Sequence, residues 1–170
     1  MKKHILITGA TGFIGRKLID ELLKSGHSIA ALSREPKSIP GVSVFLWNIQ
    51  KQQIDHQCLE GVDTIIHLAG ENIAEKKWTK ERKRELIESR TLSAQLLHKA
   101  IRETNAPVKS FISASAVGYY GNRADEILTE ETQPGSGFMA TCCKLWEEAV
   151  DEGAAFDLRI VKFRIGIVLD

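Results

Sequence analysis

A glycine-rich turn near the N-terminus constrains the fold of this chain more than any other feature. The turn GATGFIG (9–15) follows the apolar run HILIT (4–8) and precedes a segment whose apolar residues recur at helical spacing (14–22). In such a strand-turn-helix unit, glycines allow a tight turn and close packing, and free N–H groups at the helix start can hold phosphate. The GxxGxxG spacing predicts a dinucleotide site formed by Gly9, Thr11, Gly12, Phe13, Ile14 and Gly15, with a plain strand-to-helix turn as the alternative.

Apolar runs rich in β-forming residues alternate with segments of helical spacing along the whole chain. We expect strands within 4–8, 27–33, 42–47, 63–69, 109–115 and 158–169, and long helices at 79–104 and 137–152. Near-continuous apolar strands separated by helices are typical of a parallel sheet covered on both faces. The pattern therefore predicts one doubly wound α/β domain, a Rossmann fold, over residues 1–170.

Composition disfavours several classes of protein. With 170 residues, 43% of them hydrophobic, the chain suffices for one domain with a sizeable core. Its 23 basic and 22 acidic residues create no global field that would recruit nucleic acid or a membrane surface. No apolar run approaches the ~18 residues of a membrane span, and the three cysteines show no CxxC spacing. We expect a cytoplasmic protein with reduced thiols and no metal site.

The end of the second predicted strand indicates which dinucleotide binds. An acidic residue there usually holds the ribose hydroxyls of NAD, whereas an arginine accommodates the 2′-phosphate of NADP. This chain has Ser33 and Arg34 at that point. We therefore expect both residues to contact the cofactor and NADP(H) to be preferred, with NAD as the second option. A solvated loop charge is the alternative for Arg34.

Two further strand ends meet the same carboxyl edge of the predicted sheet, where ligands bind in such folds. Asn48 follows the third strand, where its amide either contacts the adenine edge or turns the chain. Small residues after the fourth strand let a cofactor approach the backbone, so the predicted cofactor site includes Leu68, Ala69, Gly70 and Glu71. His67 lies inside the apolar strand and is expected to be a hydrogen-bonded core residue.

The two long helices carry candidate residues for chemistry. Arg90 lies in the middle of an apolar stripe on the first helix, where a cation requires either an internal acid or a ligand cavity. We favour the cavity. On the second helix a common face is formed by Phe138, Cys142, Leu145 and Ala149, whereas Cys143 and Lys144 point elsewhere. Cys142 either faces the reacting groups or is an ordinary buried thiol of the core.

The segment FISASAVGYYG (111–121) supplies hydroxyl groups at the end of the fifth strand. A serine at such a point hydrogen-bonds either a substrate carbonyl or hydroxyl, or the backbone of its own turn. Ser115 is the candidate for orienting a substrate. Tyr120 follows shortly after it and is a candidate for moving a proton.

Several motifs together resemble one known family. They are ITGATGFIG, SREP, HLAGENIAEKKWT, ESR, SASAVGYYG, CKLWE and FRIGIVL. The chain is similar to the atypical extended short-chain dehydrogenases/reductases known as epimerase family proteins, some of which carry the label SulA-like cell-division inhibitor. The resemblance implies that the usual tyrosine, lysine and asparagine of extended dehydrogenases are replaced. It assigns Phe138 to the tyrosine position, Cys142 to the lysine position, Arg90 to the asparagine position and Ser115 to the retained serine.

The same resemblance implies a substrate-binding lobe beyond RIGIVL and, by analogy, a homodimer formed through the two long helices. Because the last apolar run reaches almost to Asp170, we expect residues 1–170 to be the N-terminal part of a longer protein, without that lobe.

Two functions remain open at this point. The first is an NADP(H)-dependent oxidoreductase, or an epimerase or dehydratase of the nucleoside-sugar type, acting on a small-molecule substrate that the sequence does not identify. Arg90 would bind an anionic group, and Cys142 or Tyr120 would relay the proton, with the pKa of the Cys142 thiol lowered by Arg90. The second is a non-catalytic module that binds NADP(H) and reports its state to a partner.

Overall fold

One mixed sheet and three α-helices make up the described part of the chain. The structure, a computed structural model, describes residues 2–169. The strands are β1 (His4–Thr8), β2 (Ser28–Ser33), β3 (Val42–Asn48), β4 (Gln53–Ile54), β5 (Thr64–His67), β6 (Ser110–Ala116) and β7 (Arg159–Ile165). The α-helices are α1 (Phe13–Lys24), α2 (Lys80–Thr104) and α3 (Phe138–Asp151), and short 3-10 turns occupy His56–Leu59, Val117–Tyr120 and Glu152–Phe156.

The strand order creates a ligand site at the centre of the sheet. The order is β4-β3-β2-β1-β5-β6-β7, and every neighbouring pair is parallel except β3 with β4. In register, Ile7 of β1 lies between Ala31 of β2 and Ile66 of β5. The chain winds outward in one direction from β1 and in the other from β5, so a crevice opens between the carboxyl ends of these two strands. The predicted doubly wound α/β fold is confirmed.

Each face of the sheet is covered by its own apolar layer. Successive residues of β1 point to opposite faces, so Ile5 and Ile7 pack with Ile19 of α1, whereas Leu6 joins the layer that contains Leu97 of α2 and Trp146 of α3. The sheet is therefore buried on both sides around β1, which explains why its strands read as continuous apolar runs.

Most predicted boundaries agree with the structure to within two residues. α2 begins after Thr79, whose hydroxyl accepts from the N–H of Arg82 at 3.1 Å, and it ends at Asn105, which adopts the left-handed conformation with φ 49°. The last strand is shorter than predicted, because it ends at Ile165, and Asp170 lies outside the described residues. β4 was not predicted, since two residues are too few to show an alternating pattern.

The buried face of α3 is wider than predicted. α3 packs against α2 on one side and against β6 and β7 on the other. As a result Cys142 and Cys143 are both 2% exposed, whereas Leu145 is 36% exposed. The face predicted to carry Phe138, Cys142, Leu145 and Ala149 is therefore not uniformly buried, and Cys143, which was expected to point elsewhere as a structural residue, is buried because two packing partners cover a broader arc than one. None of the helices in residues 2–169 has the length and apolarity needed to cross a bilayer.

The turn between β1 and α1 leaves no room for side chains at two glycines. Gly9 has φ 69°, and a Cβ there would lie 2.8 Å from the carbonyl carbon of Leu68. A Cβ at Gly15 would overlap the carbonyl oxygen of Gly9 and lie 2.9 Å from the Cα of Ala10. The start of α1 therefore packs directly on the turn, and the turn packs directly on the residues that follow β5.

We expect Gly15→Ala to lower the free energy of unfolding by about 2 kcal/mol, because the added methyl group meets backbone that cannot move aside. Gly166→Ala is the matched control, since a Cβ at that position would meet nothing within 4 Å. Denaturant unfolding of both variants measures the difference. Equal stability of Gly15→Ala and the unmodified chain would contradict the close packing of α1 on the turn.

Candidate functional site

A cavity of about 630 Å³ lies at the carboxyl ends of β1, β2, β3 and β5. Its lining includes Gly9, Ala10, Thr11 and Gly12 from the first turn, Ser33, Arg34, Glu35 and Lys37 after β2, Trp47 and Ile49 at the end of β3, and Leu68, Ala69, Gly70, Glu71 and Ser89 on the opposite side. The volume falls within the ~300–1,000 Å³ that small-molecule and cofactor sites occupy. The cavity thus occupies the crevice at which the strand order reverses.

The glycine turn suits the pyrophosphate of a dinucleotide. Gly12 is the N-cap of α1 and has no side chain to cap the N–H groups of the first helical turn, which also contains no acidic residue. The positive end of the helix and the bare backbone at Gly9 and Gly12 therefore face the cavity. Phe13, Ile14 and Gly15 were also predicted to bind the cofactor, but their side chains are not part of the cavity lining. Gly15 allows α1 to pack closely on the turn.

The opposite end of the cavity carries two cations. Arg34 donates from Nη1 to Oε1 of Glu71 at 2.9 Å, and its side chain is 75% exposed. Lys37 also lines the cavity and was not predicted, because it does not lie directly after the strand, where a ribose-binding residue is expected. Ser33 lines the cavity as well, and its hydroxyl accepts from the N–H of Glu35 at 3.3 Å. These groups would face the ribose of a bound dinucleotide.

Asn48 lies outside this cavity. Its amide oxygen accepts from the N–H of Lys51 at 2.9 Å and so turns the chain after β3. Its neighbours Trp47 and Ile49 line the cavity instead. The geometry therefore favours the turn alternative over an adenine contact for Asn48, and it makes the Trp47 ring the apolar surface at that place.

His67 is a buried core residue, as predicted. Its Nδ1 is 2.8 Å from Oγ1 of Thr8, and its Nε2 is 3.1 Å from Oγ of Ser93. The pKa of His67 is lowered to about 3, chiefly by burial. The ring therefore stays neutral at physiological pH and joins β1, β5 and α2 below the floor of the cleft.

The position of Arg90 on an apolar stripe predicted that it would meet either an internal acid or a ligand cavity, and its guanidinium contacts neither. The guanidinium donates to the carbonyl oxygens of Leu86 at 2.8 Å and Glu71 at 3.0 Å, and it lies over the ring of Trp146 at 5.1 Å. It does not line the cavity, but its Nε and Cζ lie directly below Gly70, where a Cβ would approach to 3.1 Å. Backbone carbonyls and an aromatic face thus replace the expected acid or ligand. In this arrangement Arg90 supports the Gly70–Glu71 backbone from below.

The two cysteines of α3 are poor acids. Burial raises the pKa of the Cys142 thiol, and the nearby charge of Arg90 offsets only part of that effect. Burial also raises the pKa of Cys143 to about 11. The expectation that Arg90 lowers the pKa of Cys142 below its ordinary value is therefore wrong, because desolvation outweighs the charge. Both thiols remain protonated at neutral pH.

Ser115 belongs to a buried ionic cluster that the sequence did not predict. Its hydroxyl donates to Oε1 of Glu147 at 2.6 Å. Arg164 of β7 donates to both carboxylate oxygens of Glu147, from Nε and from Nη2, at 2.9 Å each. Arg164 also donates from Nη1 to the hydroxyl of Tyr120 at 2.9 Å, and that hydroxyl donates to the carbonyl oxygen of Thr129 at 3.0 Å. The hydroxyl protons of Ser115 and Tyr120 are thus both engaged within the protein.

Glu147 is ionised in this cluster. Burial acts to raise its pKa, but the hydrogen bonds from Arg164 and Ser115 and the charges of Arg164 and Lys162 outweigh burial, so the pKa lies below the ordinary value. A signal for the cluster was available in the sequence, because Arg164 interrupts an apolar strand just as Arg90 interrupts an apolar helix stripe. Glu147 was overlooked because it lies on the side of α3 opposite Phe138, away from the face on which the candidate residues were sought.

The four candidates for chemistry therefore fall into two groups. Arg90 and Cys142 lie between α2 and α3, where the charge of Arg90 acts on the thiol. Ser115 and Tyr120 lie in the ionic cluster around Glu147. The ring of Phe138, at the start of α3, packs edge-on against Trp78 at 5.2 Å. Phe138 offers an apolar surface and no proton at the position that the resemblance assigns to tyrosine.

We expect Glu147→Gln to lower the free energy of unfolding at pH 7 by about 3 kcal/mol, because it leaves the Arg164 guanidinium without its buried counter-charge. The pKa of Glu147 is lowered in the folded state, so its carboxylate stabilises the fold above the ordinary glutamate pKa of ~4.3 and loses this effect as the pH falls below it. The difference between the variant and the unmodified chain should therefore shrink in acid.

Glu148→Gln is the matched control, since Glu148 is 55% exposed in its side chain and pairs only across the helix surface, with Lys144 at 3.7 Å. Urea unfolding between pH 3 and pH 8 measures all three proteins. A Glu147→Gln variant that matches Glu148→Gln at pH 7 would show that the cluster does not hold α3 to the sheet.

Comparison with known proteins identifies the family. The sequence model described as NAD dependent epimerase/dehydratase family matches residues 5–167. An epimerase family protein of Mycobacterium leprae is 33% identical over 168 residues, which cover 99% of this chain and 53% of that protein. The chain thus spans about half the length of the curated relatives it matches.

Two solved structures are similar over nearly the whole chain. The nucleoside-diphosphate sugar epimerase of Corynebacterium glutamicum superposes with a TM-score of 0.82 at 35% identity, covering 100% of this chain and 35% of that one. Human epimerase family protein SDR39U1 (isoform 2), solved with NADPH, superposes with a TM-score of 0.78 at 29% identity, covering 98% of this chain and 54% of that one. These similarities confirm the resemblance to epimerase family proteins that the motifs indicated. The family match over residues 5–167, in a chain whose glycine turn opens a cleft fit for a dinucleotide, shows that this protein belongs to the NAD dependent epimerase/dehydratase family.

Proposed function

We propose that the cleft binds NADP(H) and that the chain supplies the cofactor-binding part of an atypical oxidoreductase or epimerase. The observation that carries this proposal is the composition of the cleft at its ribose end. Arg34 and Lys37 line it, and Ser33 stands where an NAD-specific site usually has an acidic residue. The NADPH in the similar human protein supports the same preference.

The chemistry open to such a site is narrower than in ordinary dehydrogenases. The nicotinamide, when bound, supplies or accepts a hydride, and a protein group must move the accompanying proton. Phe138 has no proton to move, and the raised pKa of Cys142 makes that thiol a weak donor. Ser115 and Tyr120 are the remaining candidates, and their hydroxyl protons are donated within the protein to Glu147 and to the carbonyl oxygen of Thr129.

A second function, cofactor binding without turnover, is favoured by the hydrogen bonds that these same side chains already make. Arg90 is satisfied by backbone carbonyls, and Tyr120 is committed to Thr129 and Arg164. Ser115 is only 3% exposed. A site with so few free donors suits a module that binds NADP(H) without turnover and reports its state to a partner. Slow, stoichiometric oxidation of bound NADPH, with the cofactor retained, would support this alternative over catalysis.

We expect Arg34→Gln to weaken NADPH binding by about tenfold, because the variant loses a charge-assisted contact to the 2′-phosphate. NADH binding should stay within about twofold, since NADH has no phosphate at that position. Arg159→Gln is the matched control, because Arg159 is an exposed arginine at the start of β7, on the opposite edge of the sheet. Titrations followed by nicotinamide fluorescence measure all affinities. Equal loss of NADPH and NADH binding, or tighter binding of NADH by the unmodified chain, would contradict the proposed preference.

A further inference from the structure

A chain of three charged side chains crosses the mouth of the cleft. Arg34, in the segment after β2, donates to Oε1 of Glu71, after β5, at 2.9 Å. The other carboxylate oxygen of Glu71 accepts from Nη1 of Arg82, in the first turn of α2, at 3.3 Å. The bridge therefore joins the two loops that face each other across the cavity, and Arg34 and Glu71 both belong to the lining.

The two arginines of this bridge differ in freedom. The side chain of Arg82 is only 6% exposed, and it also donates to Glu85 at 3.0 Å and to the carbonyl oxygen of Asn72 at 2.8 Å. The side chain of Glu71 is 29% exposed and that of Arg34 is 75% exposed. Glu71 is therefore anchored to the protein body through Arg82, whereas Arg34 is the exposed partner that Glu71 holds across the opening.

Glu71 and a 2′-phosphate would compete for the same guanidinium. A phosphate that binds Arg34 must either displace the Glu71 carboxylate or share the arginine with it, and two anions at one cation repel each other. A ribose 2′-hydroxyl meets no such competition, because a carboxylate can accept its hydrogen bond. Lys37, at the same end of the cavity, forms no ion pair with any of residues 2–169 and is available to a phosphate.

We propose that Glu71 is a specificity-determining residue that restrains the preference of the cleft for a 2′-phosphorylated dinucleotide. This inference rests on the proposed function, because it concerns the same site and the same ligand class. Because Glu71 pairs with Arg34, it competes with a 2′-phosphate for that guanidinium, and its carboxylate can accept a hydrogen bond from an unphosphorylated ribose. Both NADP(H) and NAD(H) can therefore bind. With Glu71 in place, Arg34 and Lys37 raise the affinity for NADP(H) over NAD(H) by a smaller factor than the same two cations would without Glu71.

The direct test is Glu71→Gln, which keeps the shape and hydrogen-bonding capacity of the side chain but removes its charge. The affinity for NADPH should rise by about fivefold, the scale of one exposed charge interaction, and the affinity for NADH should stay equal or fall. Glu35→Gln is the matched control, because Glu35 is an exposed carboxylate in the same lining beside Arg34 but is not bridged to it. The ratio of the NADH to the NADPH dissociation constant is the readout.

A double-mutant cycle shows whether Glu71 acts through Arg34. In an Arg34→Gln background, Glu71→Gln should change the ratio by less than about twofold, since the guanidinium for which the two anions compete is gone. If Glu71→Gln fails to fold, Glu71→Asp keeps the charge beside Arg82 and withdraws it from Arg34, and it should raise the ratio in the same direction by a smaller factor.

The outcomes separate this inference from the proposed function. If the unmodified chain binds neither NADPH nor NADH, the proposed function fails, and the inference fails with it. If both cofactors bind but Glu71→Gln leaves the ratio unchanged, or changes it no more than Glu35→Gln does, only the inference is overturned. A ratio that rises equally with and without Arg34 would also overturn it, because the effect would then be a general one of net charge.

Discussion

The hydroxyl of Thr8 holds together the two strands on which the cleft depends. It accepts from the N–H groups of Leu68 and Ala69, each at 3.1 Å, and lies 2.8 Å from Nδ1 of His67. With two donors already directed at its oxygen, the hydroxyl gives its own proton to Nδ1, so the neutral imidazole carries its proton on Nε2 and donates to Ser93. A series of hydrogen bonds, in which Thr8 donates to His67 and His67 donates to Ser93, therefore fixes β1 and β5 relative to α2.

This chain of hydrogen bonds extends to the rim of the cleft. Ser93 donates to the carbonyl oxygen of Ser89 at 2.8 Å, and the hydroxyl of Ser89 accepts from the N–H of Glu71 at 3.1 Å. Arg90, on the same helix, donates to the carbonyl oxygen of Glu71 at 3.0 Å. Glu71 is thus held through its backbone from below and through its side chain by Arg82. The position of the Glu71 carboxylate at the cleft mouth therefore depends on the packing of α2.

Sequence reasoning succeeded where one local rule governs the structure. The glycine turn, the extent of α2 and the alternation of strands with helices each depend on neighbours in the chain, so they were predictable. Sequence reasoning failed where the partners of a side chain come from elements that are distant in the sequence. Arg90 could not be assigned backbone carbonyls and Trp146 as partners, and the acid that engages Ser115 could not be identified as Glu147, because both depend on how α3 fits between α2 and β7. The sign of the Cys142 pKa shift likewise depends on burial against charge, which spacing alone does not give.

The most direct test of the central claim is a titration of the ¹⁵N-labelled chain with NADPH, followed by amide NMR shifts. Binding in the cleft predicts shifts concentrated in three segments, the turn at 9–15, the loop at 33–37 and the strand end at 68–71, with α1 residues beyond the first turn unaffected. Shifts confined to other surfaces, or spread evenly over the chain, would contradict a dinucleotide site at the carboxyl edge of β1 and β5.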